Sequence, residues 1–173
     1  MNMRRFKFDA EKALETVLYI ASRAPVPDIY HVCKILYYGD RHHLEDCGRL
    51  ICGDSYCAMK DGPVPSGTYD LIKDVRDPWR KSAFADVARE AFEIVGNTVK
   101  PLRTPNLDFL SESDLESLDS SIHTVGNLSY SSLRRMSHDD AYRSADFNGE
   151  ISIEAIAATL PSGQKLIKEL RDP

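Results

Sequence analysis

Three cysteines recur at intervals of five residues, Cys47, Cys52 and Cys57, with His42 and His43 just upstream. Thiolate and imidazole are the ligands of structural and catalytic zinc, but zinc-ligand pairs usually stand about two to four residues apart on one tight turn. Here Cys47 ends a helical pattern, whereas Cys52 and Cys57 fall on a stretch that reads as a hairpin, where an odd separation points side chains to opposite faces. They are expected to be reduced structural thiols, as is Cys33. A nucleophilic site would need a cysteine or serine beside a histidine that a third group orients. His31 and Cys33 stand two residues apart, which puts them on different helix faces. Neither a G-x-S-x-G elbow nor a glycine-rich phosphate loop is present. His138-Asp139-Asp140 lacks the second histidine and remote aspartate of a metal-dependent phosphohydrolase, so a helix-start or capping role is expected. The expectation is a protein without an active site, metal or cofactor.

Charged and aromatic positions suggest binding instead. Asp40 falls on the apolar side of a helical pattern, where a carboxylate is costly unless satisfied. It either holds backbone N–H groups of the loop from Gly48 to Gly53 or pairs with a nearby base, Lys34 or Arg41; a rotated helix would leave it in water. From Thr104 to Leu133 there is no Lys or Arg, while Asp108, Glu112, Asp114, Glu116 and Asp119 cluster there. Such a stretch is a solvated helix face or a docking surface for a basic partner. Tyr30, Tyr37 and Tyr38 crowd one helix as interface anchors or core, with Tyr37 assigned to the core.

The elements that must position these groups follow from caps and periodicity. Asp9 caps a helix with Ala10, Ala13, Leu14, Val17, Leu18 and Ala21 on one face, ended by Pro25 and Pro27. Asp28 caps a second, with Ile29, Val32, Cys33, Leu36, Tyr37 and Leu44 as its stripe and Gly48 as its stop. The short joint predicts a helical hairpin. Arg49 to Cys52 and Ser55 to Lys60 around Gly53-Asp54 predict a β-hairpin, then Gly62-Pro63-Val64-Pro65 an extended turn. Ser66 is expected to cap a short helix carrying Tyr69, Leu71 and Ile72. Asp77-Pro78 predicts another helix start, with Trp79, Ala83, Phe84, Val87, Ala88 and Ala91 as its apolar members. Phe92 to Val95 and Thr98 to Leu102 flank Gly96-Asn97 as a hairpin. Ser111 and Asp114 form a capping pair for a helix ended by Gly126, and further helices are predicted over 130–145, 152–160 and 162–170. The fold class is mostly α (α+β), a compact helical domain with one or two small β-hairpins, and 1–173 reads as a single domain.

Of 173 residues, 42% are hydrophobic and 28% charged, a globular composition. A net charge of −5 argues against strong nucleic-acid binding, which needs clustered Lys and Arg. The one basic group, Arg4, Arg5 and Lys7, reads as a solvated terminus. With no apolar run of about 18 residues and no secretion signal at its start, the chain is expected to be cytoplasmic and free of the membrane.

Taken in order, the first half runs through Phe8 to Ala13 with Leu14 and Tyr19, Lys34-Ile35-Leu36-Tyr37-Tyr38-Gly39-Asp40-Arg41-His42-His43-Leu44, the Gly48 and Gly53 loop, and Ala58-Met59-Lys60-Asp61-Gly62-Pro63-Val64-Pro65-Ser66. In these residues it resembles the Panacea, or SocA-like, antitoxin domain of toxin–antitoxin systems. The likeness covers about residues 6 to 75 and continues more loosely through Phe92 to Leu102, Leu107 to Val125, Leu133, His138 and Ala141. Cysteine at 47, 52 and 57 and glycine at 39 depart from the family pattern. The resemblance implies a helical antitoxin that neutralises a cognate toxin from the neighbouring gene by direct protein–protein binding, with oligomers formed with that toxin. An adaptor delivering a partner to a protease, or a Cys/His metal-dependent hydrolase, are the alternatives. Lys34, Tyr37, Asp40, Gly48, Gly53, Gly62, Pro63 and Val64 are the signature positions, expected to hold the scaffold. Glu112, Asp114 and Glu116 are the candidate partner-binding residues.

Overall fold

Asp9 and Asp28 each accept a backbone N–H three residues on, from Lys12 at 3.0 Å and His31 at 2.7 Å, and so start the first two helices. The computed structural model describes residues 5–171, so Arg4 lies outside the described residues. α1 spans Ala10–Arg23 and α2 Ile29–Cys47, which Gly48 ends in the left-handed conformation. There follow β1 (Tyr56–Met59), β2 (Gly62–Pro65), α3 (Ser66–Arg76), α4 (Ala85–Ala91), β3 (Phe92–Val95) and β4 (Thr98–Pro101). A 3-10 turn at Leu107–Phe109 leads to α5 (Glu112–Val125), α6 (Tyr130–Ser137), α7 (Asp140–Arg143), β5 (Glu150–Ile151), α8 (Ile153–Ala158) and α9 (Gly163–Arg171). The fold is mostly helical with small antiparallel strand pairs, as expected.

Two apolar clusters form the core. One gathers Leu14, Leu18, Ile20, Ile35, Leu36, Ile72 and Leu118; the other gathers Tyr37, Leu44, Tyr56, Ile151, Ile156, Leu166 and Leu170. α2 contributes to both, so it is enclosed on most sides. It touches α1 across the short joint, but its most extensive helix contact is with α5, not with α1.

The first hairpin is shifted from the predicted one. β1 pairs with β2, Met59 opposite Gly62 across a Lys60-Asp61 turn, and β5 adds to the other side of β1. Arg49 to Cys52 forms no strand because its backbone is engaged elsewhere: Ile51 N–H donates to Asp40 and Cys52 C=O accepts from Asp9 N–H. Ser66 N–H donates to Ser55 C=O at 2.8 Å. Because hydrogen-bonded pairs alternate along an antiparallel ladder, Pro63 and Pro65 fall at the intervening pairs, where no donor is needed. The predicted extended turn is therefore an edge strand. Two glycines allow close approach: Gly53, at φ 65°, has the Lys7 carbonyl where a Cβ would stand, and Gly62, at φ 114°, packs against Lys34 and Ser137.

Other differences have similar causes. The predicted helix from Asp77-Pro78 begins only at Ala85, leaving Trp79 78% and Val87 47% exposed. Arg89 instead gathers the carbonyls of Asp74, Asp77, Pro78 and Arg80, which satisfies a non-helical loop. The predicted 130–145 helix is two, because Asp139 caps a fresh start through Tyr142 N–H at 2.9 Å. The β3–β4 hairpin, the Ser111–Asp114 capping box and the stop at Gly126 are as expected.

Ser66 is not the cap of α3. Its first free donors, Gly67 N–H and Thr68 N–H, go to Asp54 at 2.8 Å each, and the Thr68 hydroxyl joins them at 2.8 Å. A carboxylate outside the helix thus satisfies its positive end. Asp54→Ala should lower stability by about 1–2 kcal/mol in urea denaturation, whereas Ser66→Ala should stay within about 0.5 kcal/mol. The reverse ranking would return the cap to Ser66.

Candidate functional site

α2 carries a polar side chain at every third position: His31, Lys34, Tyr37, Asp40 and His43, each buried. At about 100° per residue, a step of three turns each one about 60° from the last, so the series winds around the helix and faces a different neighbour at every step. His31 joins Asp28 and the Leu128 carbonyl, both at 2.8 Å. Lys34 Nζ donates to the Pro63 carbonyl at 2.9 Å. Tyr37 donates to Asp139 Oδ2 at 3.1 Å, and Arg41 reaches that same oxygen at 3.5 Å.

Asp40 is 1% exposed and accepts from Ile51 N–H at 2.6 Å and the Tyr56 hydroxyl at 2.7 Å. The tie to the Gly48–Gly53 loop is the first of the two arrangements the sequence allows, and neither Lys34 nor Arg41 takes part. Tyr56 was not anticipated. Burial pushes the Asp40 carboxyl up to about 7, against the pull of the Tyr56 hydroxyl and the Ile51 amide. Burial likewise draws Lys34 down to about 8.

His43 ends the series. Its Nδ1 lies 2.8 Å from the Arg49 carbonyl, which only accepts, so Nδ1 carries the proton and Nε2 accepts from Ser113 Oγ at 3.0 Å. Burial lowers its pKa. The same corner holds Asp114, whose side chain is fully buried, with Lys12 Nζ at 2.7 Å, Arg49 at 3.1 Å and His43 Nε2 at 3.3 Å. Burial alone would raise the Asp114 carboxyl, but Lys12 and Ser111 outweigh it and hold the pKa below the usual range. Asp114 therefore belongs to the interior and not to a docking surface, which corrects its grouping with Glu112 and Glu116. Those two are exposed on α5, and Asp119 beside them accepts from the Tyr19 hydroxyl at 2.7 Å.

The signature positions converge. Lys34, Tyr37 and Asp40 face β1, β2 and the α7 cap from α2, while Gly48 and Gly53 bound the loop that Asp40 holds. Pro63 supplies the carbonyl for Lys34, and Val64 packs on the first cluster. The cysteines separate: Cys47 is exposed at the end of α2, Cys52 is buried 3.3 Å from Thr16 Oγ1, and Cys57 on β1 faces the Asn148 carbonyl. Cys52 lies off the strand, so the face argument made for it does not apply. Among the described residues no group of three His, Cys, Asp or Glu side chains is placed to hold a metal ion. Asp139 has the capping role expected of the His138-Asp139-Asp140 stretch. The spacing H-x-x-K-x-x-Y-x-x-D-x-x-H was the signal for the wound polar series, and Asp54, Tyr56 and Lys12 had no comparable one.

A family model described as Antitoxin SocA-like, Panacea domain matches residues 32–142, from within α2 to α7. No curated protein and no solved structure gives a significant match. Among the described residues no helix is long and apolar enough to cross a membrane.

Asp40→Ala strands two buried donors and should lower stability by about 2–4 kcal/mol, a fall in Tm of roughly 5–10 °C. Asp40→Asn keeps an acceptor for Ile51 and isolates the titration. A carboxyl whose folded pKa of about 7 exceeds the ordinary 3.8 favours folding fully below 3.8, and that contribution is lost as pH rises through 7. Urea midpoints stepped across this window should fall with pH more steeply in the wild type than in Asp40→Asn; parallel slopes would show that Asp40 is ionised throughout.

Proposed function

Because the chain belongs to the SocA-like Panacea antitoxin family, we propose that it neutralises a toxin encoded by the neighbouring gene, by direct binding and without catalysing a reaction. The family match carries this reading. The interior supports it: the five buried polar groups spaced along α2 are engaged in holding loops, a strand and caps, and the histidines bond to carbonyls, carboxylates and serines within the fold. Lys34, Tyr37, Asp40, Gly48, Gly53, Gly62, Pro63 and Val64 then hold the scaffold, and the toxin is met by side chains that the scaffold leaves free.

The α5 face offers such side chains. Glu112 and Glu116 stand one turn apart and exposed, on a helix whose buried side packs on α2. They are suited to steering a basic toxin surface, a contribution that salt screens within about 10 Å.

Co-expression of this chain with its neighbouring gene product should restore growth that the neighbour alone arrests, and the two should co-purify. A neighbour that is harmless alone would remove the proposal, and a partner degraded faster when this chain is present would mark it as a delivery adaptor. Charge reversal at Glu112 and Glu116 should weaken the complex roughly tenfold at low salt and flatten its salt dependence. Unaltered affinity would move the interface off α5.

A further inference from the structure

Four of the five buried polar groups on α2 meet either a charged or hydroxyl partner inside the fold; Lys34 meets only a carbonyl. It is 1% exposed, donates to Pro63 at 2.9 Å and lies 4.7 Å above the Tyr30 ring. Among the described residues it forms no ion pair. Asp61 attracts it only from beyond ion-pair distance and itself interacts with Arg134 at 3.2 Å, and Asp28 is occupied by His31 and the start of α2. An ammonium taken out of water with one carbonyl and one ring face is under-compensated.

Lys34 lines a cavity of about 430 Å³ between the start of α2, the β1–β2 turn, α3 and α6. That volume lies in the range of small-ligand sites. Tyr30, Tyr69 and Tyr130 also line it, the rings of Tyr30 and Tyr130 standing 4.7 Å apart, and Lys60 and Arg76 add two further cations, Arg76 already paired with Asp77 at 3.3 Å. Asp28 and Asp61 are in its wall as well, so a dianion such as phosphate meets about twice the repulsion that a single carboxylate does.

We propose that this cavity binds a carboxylate attached to a flat apolar body, the carboxylate taken by Lys34 and Arg76 and the body packed among Tyr30, Tyr69 and Tyr130. The shared chemistry is that of an aromatic acid, which a free small molecule or an aromatic residue at the C-terminus of a protein chain could supply. The site stands apart from α5 and does not depend on toxin neutralisation.

The purified chain, titrated calorimetrically with N-acetyl-phenylalanine and with its C-terminal amide, should bind the acid at least tenfold more tightly. Lys34→Met should lose that preference. Tyr130→Ala, at a half-exposed position that does not endanger folding, should weaken the acid several-fold even if Lys34→Met fails to fold. An eight-residue peptide ending in phenylalanine, compared with the single residue, separates the sources: tighter binding of the peptide points to a chain terminus, and equal or weaker binding points to a small molecule. Equal affinities for acid and amide, no binding at millimolar concentration, or an unchanged affinity in Tyr130→Ala would overturn the proposal.

Discussion

A helix enclosed between two apolar clusters must find partners for most of its buried polar groups, and α2 answers the five spaced three residues apart, while among the described residues the buried Tyr38 hydroxyl has no hydrogen-bond partner. Each unpaired donor, acceptor or charge in that setting would cost as much as several methylenes of core gain. The chain answers with partners from distant segments: Leu128, Pro63, Asp139, Ile51 with Tyr56, and Arg49 with Ser113. Since the series winds around the helix, satisfying it fixes the loop after α2, the first strand pair, the α6–α7 junction and the start of α5 relative to one another. Apolar packing alone tolerates sliding; a set of directional bonds on five headings does not.

The same constraint explains the division of labour between interior and surface. Asp114 looks like a member of an acidic docking cluster, yet it faces inward because Lys12, Arg49 and the open end of α5 converge on it. Asp54 is likewise removed from the surface by the two free N–H groups of α3. Acidic residues that answer a buried demand are unavailable to a partner, whereas Glu112 and Glu116, which answer none, are available. On the proposed reading, binding residues at such exposed positions stand apart from those that hold the scaffold together, so the former can change without cost to the latter.

How far this was legible depends on the range of each interaction. The caps Asp9, Asp28 and Ser111, the stops Gly48 and Gly126 and the Gly96-Asn97 hairpin act within a few residues, and the sequence displays them directly. Asp40 was legible as a carboxylate on the wrong face that must tie to the next loop. Tyr56 as its second partner was not, because that contact requires knowing that β1 pairs with β2 and not with Arg49 to Cys52. Pro63 and Pro65 concealed the strand: proline argues against a ladder unless the register places it at pairs without a bond, and register is a tertiary fact. Asp54 was hidden behind Ser66, an equal cap by type and a nearer one in sequence, which lost because it lies inside the first turn and not ahead of it. β5, with two residues, has no period to detect.

Within the α2 series, the groups differ in how completely the fold answers them. Asp40 accepts two hydrogen bonds and His43 uses both ring nitrogens, and these lie where two core clusters close over the helix. Lys34 lies toward the other end, beside the β1–β2 turn, where the cover opens into the tyrosine-lined cavity. Burial already draws its pKa down, which is the response of an ammonium short of counter-charge. Methionine or leucine would fill the space above Tyr30 without a desolvation cost of its own, leaving only the Pro63 carbonyl without its donor. What the apolar side chain could not do is meet an anion, so the charge at this position is best understood by what enters from outside and not by the single carbonyl it already holds.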